Sequence, residues 1–317
     1  VNLEYLLLDL GGRAANAEDA RLGLLAADWT HNATIQSVVL EVQRSFVGYL
    51  DAKARLAAAG DAVAEAKAAL DAATVRHDAG VATIAEVLQA RTALSQAQLS
   101  VDSLSGEVLA LRGALATVMG LPATTPYDVS DLPSEPPVAL ASSAVEELIA
   151  KARAARPDLA AARMQAERAA THVQAVRADG LPKVTASASA GRSYFRPSTF
   201  VDYGDTWSAR LLVTVPLFTG FESRANVAKA AEEAAAAAAD VEALDQQVIL
   251  QVWSSYSALK TAAQMVATSR DLVASATQSE RVALGRYQEG VGTIIDLLAA
   301  QAALSNARAE VIGARST

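Results

Sequence analysis

Two stretches of the chain, 210 residues apart, are copies of one another. Residues 79–98 read AGVATIAEVLQARTALSQAQ, residues 289–308 read EGVGTIIDLLAAQAALSNAR, and ten of the twenty aligned pairs are identical. The match continues upstream, where the same offset aligns Arg76 with Arg286. A duplication of this length predicts two structural repeats of the same kind.

Each copy lies at the turn of a predicted helical hairpin. The stretches Arg13 to His77 and Glu222 to Tyr287 are rich in Ala, Leu, Glu, Gln and Arg and contain no proline, which predicts two very long helices. At 1.5 Å per residue, each helix would extend about 100 Å. A glycine-containing turn follows each helix, and Thr83 and Thr293 are placed to cap the start of an antiparallel partner helix.

A strand-like segment precedes each long helix, and strands are predicted near residues 1–10, 183–195 and 206–218. Residues 183–190 alternate strictly between polar and apolar side chains, and residues 3–7 repeat this pattern near the start. One apolar and one polar face suits a half-buried sheet, and it equally suits a barrel with lipid outside and water inside. The clearest apolar face consists of Trp207, Ala209, Leu211, Val213 and Val215.

The order of the segments predicts a mainly α protein with a small β part, built from two tandem repeats of strand plus long helical hairpin. The second repeat adds two short helices, near residues 143–153 and 157–178, and a β-hairpin whose turn-rich loop covers residues 196–205. By the internal symmetry, a helix pair and a first strand are expected before residue 1, and the last helix is expected to continue beyond Thr317. The predicted boundaries are 1–119 for the first repeat, 120–142 for a proline-rich equatorial linker, and 143–317 for the second repeat.

The composition excludes several functional classes. The formal charge of -8 argues against nucleic acid as a partner, because such binding requires a basic face. The chain contains no cysteine, which removes disulfides, thiolate metal sites and cysteine nucleophiles. It contains no phosphate loop, nucleophile elbow or HExxH motif, and its three histidines are far apart in sequence. We therefore predict no enzyme activity, no cofactor and no metal, and no uncharged stretch is long enough for a transmembrane helix.

In their order and spacing, these segments resemble the TolC-like outer membrane factor family over essentially the whole chain. The resemblance rests on the two turns and on four short motifs: YLLLDLG at residues 5–11, RPDL at 156–159, LP at 181–182 and VPLFTG at 215–220. It implies that three protomers build one β-barrel in the outer membrane and one tapering α-helical barrel in the periplasm. Each protomer would then form a third of both barrels. Family protomers supply four strands, whereas three are recognised in this chain.

The resemblance also implies a function and a set of partners. The protein would be the outer-membrane exit duct of a tripartite efflux or type I secretion system in a Gram-negative bacterium. It would passively conduct substrate from a periplasmic adaptor and an inner-membrane pump to the exterior. The implied partners are two further copies of the chain in a homotrimer, the periplasmic adaptor protein, outer-membrane lipid and, indirectly, the inner-membrane transporter.

Family members contact the adaptor through the turns of the helical hairpins, which we call the tips. The constriction of the tunnel lies nearby in the family, and it makes Asp296 and Glu86 candidates for a ring of carboxylates. The alternative is that the tip residues only form tight turns and that each acidic residue stabilises a helix N-terminus. The matching tip residues here are Gly80, Val81, Thr83, Val291, Gly292 and Thr293.

An aromatic cluster surrounds the predicted hairpin loop. In a membrane barrel it would form an interfacial girdle, and the alternative is a small satellite core beneath a loop. The cluster contains Tyr194, Phe195, Phe200, Tyr203 and Trp207.

The main competing interpretation is a soluble coiled-coil scaffold, which suits the long alanine-rich helices if the strands are ignored. The strand alternation and the duplication oppose it. A periplasmic adaptor would carry one helical hairpin rather than two copies separated by a linker. An enzyme is the least supported class.

Overall fold

The structure, a computed structural model, describes residues 1–130, 144–195 and 202–316. It confirms the predicted fold class, mainly α with a small β part. Within the described residues, no helix combines the length and the apolar character needed to cross a membrane. The elements in chain order are β1 (Asn2–Leu8), α1 (Gly12–Asp78), α2 (Ile84–Val118), α3 (Val145–Ala155), α4 (Pro157–Asp179), β2 (Lys183–Phe195), β3 (Asp202–Thr214), α5 (Glu222–Gln288) and α6 (Ile294–Ser316).

The third strand departs from its prediction at both ends. It begins at Asp202, so the loop predicted through Asp205 is too long, and it ends at Thr214, four residues before the predicted end at residue 218. The glycine and aspartate of this segment resemble a turn in sequence, but they pair with β2, where Asp205 lies opposite Arg192. Ladder pairing overrides local turn preference. Residues 196–201, and residues 131–142 of the predicted linker, lie outside the described part of the chain.

The three strands form one antiparallel sheet in the order β1-β2-β3. One row of the register joins Tyr5, Ala186 and Leu211, so these side chains share a face. A register shift between Leu6 and Leu8 interrupts the alternation that was predicted to run through residue 7. Such a bulge adds a residue to one strand and increases its local twist.

A sharp reversal connects β1 to α1, and another connects β3 to α5. Leu10 and Phe221 both have positive φ, +50° and +70°, and Gly11 beside the first has φ +102°. This conformation is costly for residues with a side chain. The carboxylate of Asp9 accepts the backbone N–H of Arg13 at 2.5 Å, which caps the first turn of α1.

The chain forms two compact units. The first contains residues 1–34 and 150–250, and the second contains residues 35–149 and 251–317. In the first unit, Leu22, Leu159 and Val248 are fully buried. Arg153 and Asp245 form an ion pair with a nitrogen–oxygen distance of 2.7 Å, which ties α3 to α5.

In the second unit, a cluster of buried residues joins α1, α2, α5 and α6 near the two turns that connect them in pairs. A buried tyrosine on α5 lies at its centre, surrounded by small and aliphatic side chains. Small alanine side chains allow the helix backbones to approach closely. The fully or nearly fully buried members are Ala69, Ala73, Ala90, Tyr287, Ile294 and Leu297.

The described start of the predicted linker is held against the second unit. The Lys53 ammonium lies 2.8 Å from the Asp128 carboxylate, and the Tyr127 hydroxyl donates to the backbone carbonyl of Arg112. The Lys53 side chain lowers the pKa of the Asp128 carboxyl, since it hydrogen-bonds to the ionised form. The chain is therefore tethered to α1 and α2 after α2 ends.

Candidate functional site

The two tips share one backbone conformation. A glycine with positive φ follows each long helix, +75° at Gly80 and +79° at Gly290. In both tips the N–H of the next residue, Val81 or Val291, donates to the carbonyl oxygen of an arginine in the last helical turn, at 3.0 Å. This arrangement satisfies carbonyl groups that the helix end would otherwise leave unpaired.

Both partner helices begin with reciprocal capping contacts. The backbone N–H of Thr83 donates to the Glu86 carboxylate at 3.2 Å, and the two residues form a capping box. In the second tip, the Asp296 backbone N–H donates to the Thr293 hydroxyl at 3.2 Å, and that hydroxyl donates to the Asp296 carboxylate at 2.8 Å. The predicted capping roles of the two threonines are therefore confirmed. Both constriction candidates, Glu86 and Asp296, are engaged in these caps.

Tyr287 joins three helices at the second tip. Its ring is fully buried, and its hydroxyl donates to the Glu86 carboxylate of α2 at 3.1 Å. Its backbone carbonyl accepts a hydrogen bond from the Arg76 guanidinium of α1 at 2.9 Å, and that guanidinium lies 4.9 Å from the ring centroid. Burial raises the pKa of Tyr287, and the hydrogen bond to Glu86 raises it further. The phenol therefore remains a donor across the physiological pH range.

The glycines of the two tips differ in their surroundings. A Cβ added at Gly292 would lie 3.1 Å from the backbone nitrogen of Tyr287, which is closer than ordinary van der Waals contact. A Cβ at Gly290 would lie 3.0 Å from the Arg76 guanidinium, whereas one at Gly80 would meet nothing within 4 Å. The second tip is thus closely packed, and the first is open.

The structure brings some of the predicted tip residues together with partners that the sequence did not reveal. Glu86 was a candidate, but its contact with Tyr287 and the role of Arg76 were missed. The duplication contained a signal for the special role of position 287, because the second repeat has a tyrosine there where the first repeat has His77. The side chains of Val81 and Val291 are 65% and 67% exposed. Their predicted contact with an adaptor remains a prediction.

The apolar face of the sheet is exposed. The Trp207 side chain is 82% exposed, and Leu211 and Val213 on the same face of β3 are exposed too. Ala209 shares that face, whereas Val215 lies beyond the end of the strand. Of the predicted aromatic cluster, Phe200 and the side chains of Tyr194, Phe195 and Tyr203 lie outside the described part. The girdle therefore remains a prediction that only the tryptophan position supports.

An ion pair continues this face past the tryptophan. Arg192 and Asp205 lie opposite each other in the register, one row beyond Ala190 and Trp207. The guanidinium donates two hydrogen bonds to the carboxylate, at 2.5 and 2.8 Å. The alternation recognised in the sequence ends at residue 190, so this pair was not predicted.

Comparison with known proteins places these features in a family. The profile of the outer membrane efflux protein family matches residues 1–121 and 148–317. The toluene efflux pump outer membrane protein TtgF of Pseudomonas putida is 26% identical over 312 residues, covering 97% of this chain and 64% of TtgF. The outer membrane protein OprJ of Pseudomonas aeruginosa is 27% identical over 299 residues, covering 93% of this chain and 61% of OprJ. The chain thus spans less than two thirds of the length of these relatives.

The fold agrees with this match. The crystal structure of the outer membrane protein VceC from Vibrio cholerae superposes with a TM-score of 0.84 at 20% identity, covering 99% of this chain and 75% of VceC. The chain belongs to the outer membrane efflux protein family, as the resemblance in the sequence predicted. The family consists of outer-membrane channel proteins rather than enzymes.

Proposed function

We propose that the full-length protein is a passive exit duct in the outer membrane of a Gram-negative bacterium, working in a tripartite efflux or type I secretion system. The observation that carries this proposal is the sheet with one exposed apolar face and one polar face in a chain of this family. An apolar face in contact with water would be costly, whereas contact with lipid stabilises it. The polar face would then line a water-filled lumen.

The dimensions of the apolar face are compatible with a membrane. From Val213 to Trp207 the strand rises about 20 Å at 3.4 Å per residue, or about 15 Å along the membrane normal at a tilt of about 40°, which covers more than half of the ~25 Å band of outer-membrane barrels. The tryptophan at one end of the band and the Arg192–Asp205 pair beyond it suit the interface with the lipid headgroups. Outer-membrane lipid is therefore a proposed partner of Trp207, Ala209, Leu211, Val213 and, past the strand end, Val215.

A homotrimer is the proposed assembly. In the second unit, the α1 segment Ile35, Val38, Val39 and Leu40 leaves four large aliphatic side chains exposed. Such a surface is unusual on a monomer and normally marks an interface. Repeats at 1–119 and 143–317, joined by a linker at 120–142, would each supply one helical hairpin per protomer to a closed tunnel wall.

The tips are the proposed contact with the periplasmic adaptor, through which an inner-membrane transporter would act indirectly. Val81 and Val291 expose apolar side chains on rigid, capped turns, which suits docking without reordering of the backbone. Gly80, Thr83, Gly292 and Thr293 would shape these turns. Glu86 and Asp296 would place carboxylates near the axis of the assembly, where like charges repel and resist complete closure.

Native mass spectrometry of the full-length protein, extracted from outer membranes in detergent, tests the assembly. The proposal predicts a trimer. A monodisperse monomer would contradict it, and a protein recovered entirely without detergent from the water-soluble fraction would favour the coiled-coil scaffold instead.

Photo-crosslinking tests the tips separately. A photoreactive amino acid at position 81 or 291 should form crosslinks to the adaptor in cells, whereas the same residue at exposed Glu232 of the first unit should not. Equal yields at all positions would discard the tip assignment and leave the trimer result unaffected.

A further inference from the structure

One row of the sheet carries opposite charges on its polar face. Glu4 of β1 lies opposite Ser187 of β2, and Ser187 lies opposite Arg210 of β3. Directly opposed residues on neighbouring strands point to the same side of a sheet. Glu4 and Arg210 are both exposed, and they lie two strand spacings apart, roughly 10 Å.

The neighbouring rows on this face carry no charge. The row on one side contains Asn2, Ser189 and Ser208, and the serine hydroxyls hydrogen-bond to each other at 2.9 Å. The row on the other side contains Leu6, Thr185 and Leu212. The next charge along the face is Lys183 at the start of β2, which forms an ion pair with Asp179 of α4 at 2.9 Å. Within the described strands, Glu4 and Arg210 therefore dominate the potential at the middle of the polar face.

We propose that Glu4 and Arg210 form a charged belt on the lumen wall of the exit barrel, where Arg210 attracts anionic groups of a passing solute and Glu4 attracts cationic groups. This inference rests on the proposed function, because it requires the polar face to line the lumen. Assembly of several copies around the axis would alternate the two signs along one circumference. The resulting field runs along the wall between Glu4 and Arg210 and cancels at the axis by symmetry, so it orients dipolar solutes that pass close to the wall.

The reach of such a belt depends on salt. The Debye length is about 10 Å at 0.1 M ionic strength and about 3 Å at 1 M. At 0.1 M, each charge therefore acts on ions that pass near the wall, and at 1 M its effect is confined to direct contact. This dependence separates an electrostatic role from a steric one.

Ser187 offers a sensor at the centre of the belt, since these 317 residues contain no cysteine, and any cysteine elsewhere in the full-length protein would be replaced by serine. The full-length protein with Ser187→Cys would be placed in lipid nanodiscs. The thiol would then be modified with anionic sulfonatoethyl methanethiosulfonate or with cationic trimethylammonioethyl methanethiosulfonate. At 0.1 M salt, adding Arg210→Gln should lower the ratio of the anionic to the cationic rate about threefold, and adding Glu4→Gln should raise it by a similar factor.

The matched control uses the opposite face of the same hairpin. Arg192→Gln removes the same charge from β2, but on the face that carries Trp207. It should leave the rate ratio at Ser187→Cys unchanged, and 1 M salt should abolish both shifts. A thiol at Ala188→Cys, on the apolar face, should react slowly with both reagents because lipid covers it.

Two different results would overturn two different claims. If Ser187→Cys reacts well but Arg210→Gln and Glu4→Gln leave the ratio unchanged, or Arg192→Gln shifts it equally, the charged belt is wrong and the barrel stands. If Ala188→Cys reacts and Ser187→Cys does not, the polar face does not line a lumen, and the proposed function fails with the belt.

Discussion

The two tips have similar sequences and the same turn, yet the helices that leave them are buried to very different extents. Ile84 at the start of α2 is 56% exposed, whereas Ile294 at the aligned position of α6 is 3% exposed. Both turns have a positive-φ glycine and reciprocal capping by threonine and an acidic residue. Local sequence therefore determines the turn, and the surroundings determine which face of the helix becomes core.

Two of the substitutions between the repeats lie where the tips differ. The second repeat has Tyr287 where the first has His77, and it has Gly292 where the first has Ala82. The tyrosine belongs to the buried cluster, and a Cβ added at the glycine would lie 3.1 Å from the tyrosine's backbone nitrogen. We call the second tip pinned, because Tyr287 is buried there and bonds to Arg76 and Glu86, and we call the first tip open, because Ile84 is exposed there.

The largest expected effect comes from making the second tip resemble the first at one position. Gly292→Ala should destabilise the second tip by about 2 kcal/mol, because the new Cβ would lie 3.1 Å from the backbone nitrogen of Tyr287, closer than ordinary van der Waals contact. Hydrogen exchange read by mass spectrometry on peptides covering residues 285–300 should then be about 30-fold faster. Ala82→Gly, the reverse change in the first tip, serves as control and should alter exchange at residues 75–90 much less. Equal effects at both tips would refute the difference in packing.

A second pair of variants compares the aligned arginines. Arg76→Met should loosen the second tip by about 1.5 kcal/mol, since the Tyr287 carbonyl loses a charged donor at 2.9 Å. Arg286→Met removes only a 3.4 Å contact to the carbonyl of Val291, so its effect should be smaller. The same hydrogen-exchange experiment distinguishes the two variants. A larger effect from Arg286→Met would mean that the contact of Arg76 with Tyr287 does not stabilise the second tip.

The hydroxyl of Tyr287 is expected to contribute less to the stability of the second tip. Tyr287→Phe keeps the buried ring and loses the hydrogen bond to Glu86, for an expected cost of about 1 kcal/mol and about fivefold faster exchange at the second tip. His77→Phe at the aligned position should leave exchange at both tips close to that of the wild type. Unchanged exchange in Tyr287→Phe would show that the ring alone pins the tip.

The smallest expected effect is a pH dependence that the first tip lacks. The pKa of Tyr287 is raised by burial and by its bond to Glu86, so the folded value lies above the unfolded value of about 10. The stabilisation is then fully present below about pH 10 and is lost as the pH rises through the folded pKa. The difference in tyrosinate absorbance between wild type and Tyr287→Phe should develop only above pH 10. An onset below pH 10 would contradict the burial and the bond.

The sequence predicted the repeated parts of the fold because their signals are local. Proline-free helical stretches, turn glycines and capping threonines each act within a few residues, and α1, α5 and both caps were confirmed. The Arg76–Tyr287–Glu86 contacts could not be predicted in this way. They join residues on three helices, and only tertiary packing brings them together.

The sheet shows the same limit. The alternation predicted the apolar face of β3. The preceding loop was predicted to end at residue 205, beyond the start of β3 at Asp202, because Gly204 and Asp205 resemble turn residues. Pairing with β2 forms the strand and the Arg192–Asp205 bridge together. The register also aligns Glu4 with Arg210 across an intervening strand, which no single segment of the sequence displays.

Electron cryomicroscopy of the full-length protein purified from outer membranes tests the central claim most directly. The account predicts a threefold particle with a β-barrel, in which the Trp207 face of the sheet contacts the lipid or detergent belt and Arg210 faces the lumen. A particle without a barrel, or a barrel with Trp207 inside and Arg210 outside, would contradict it.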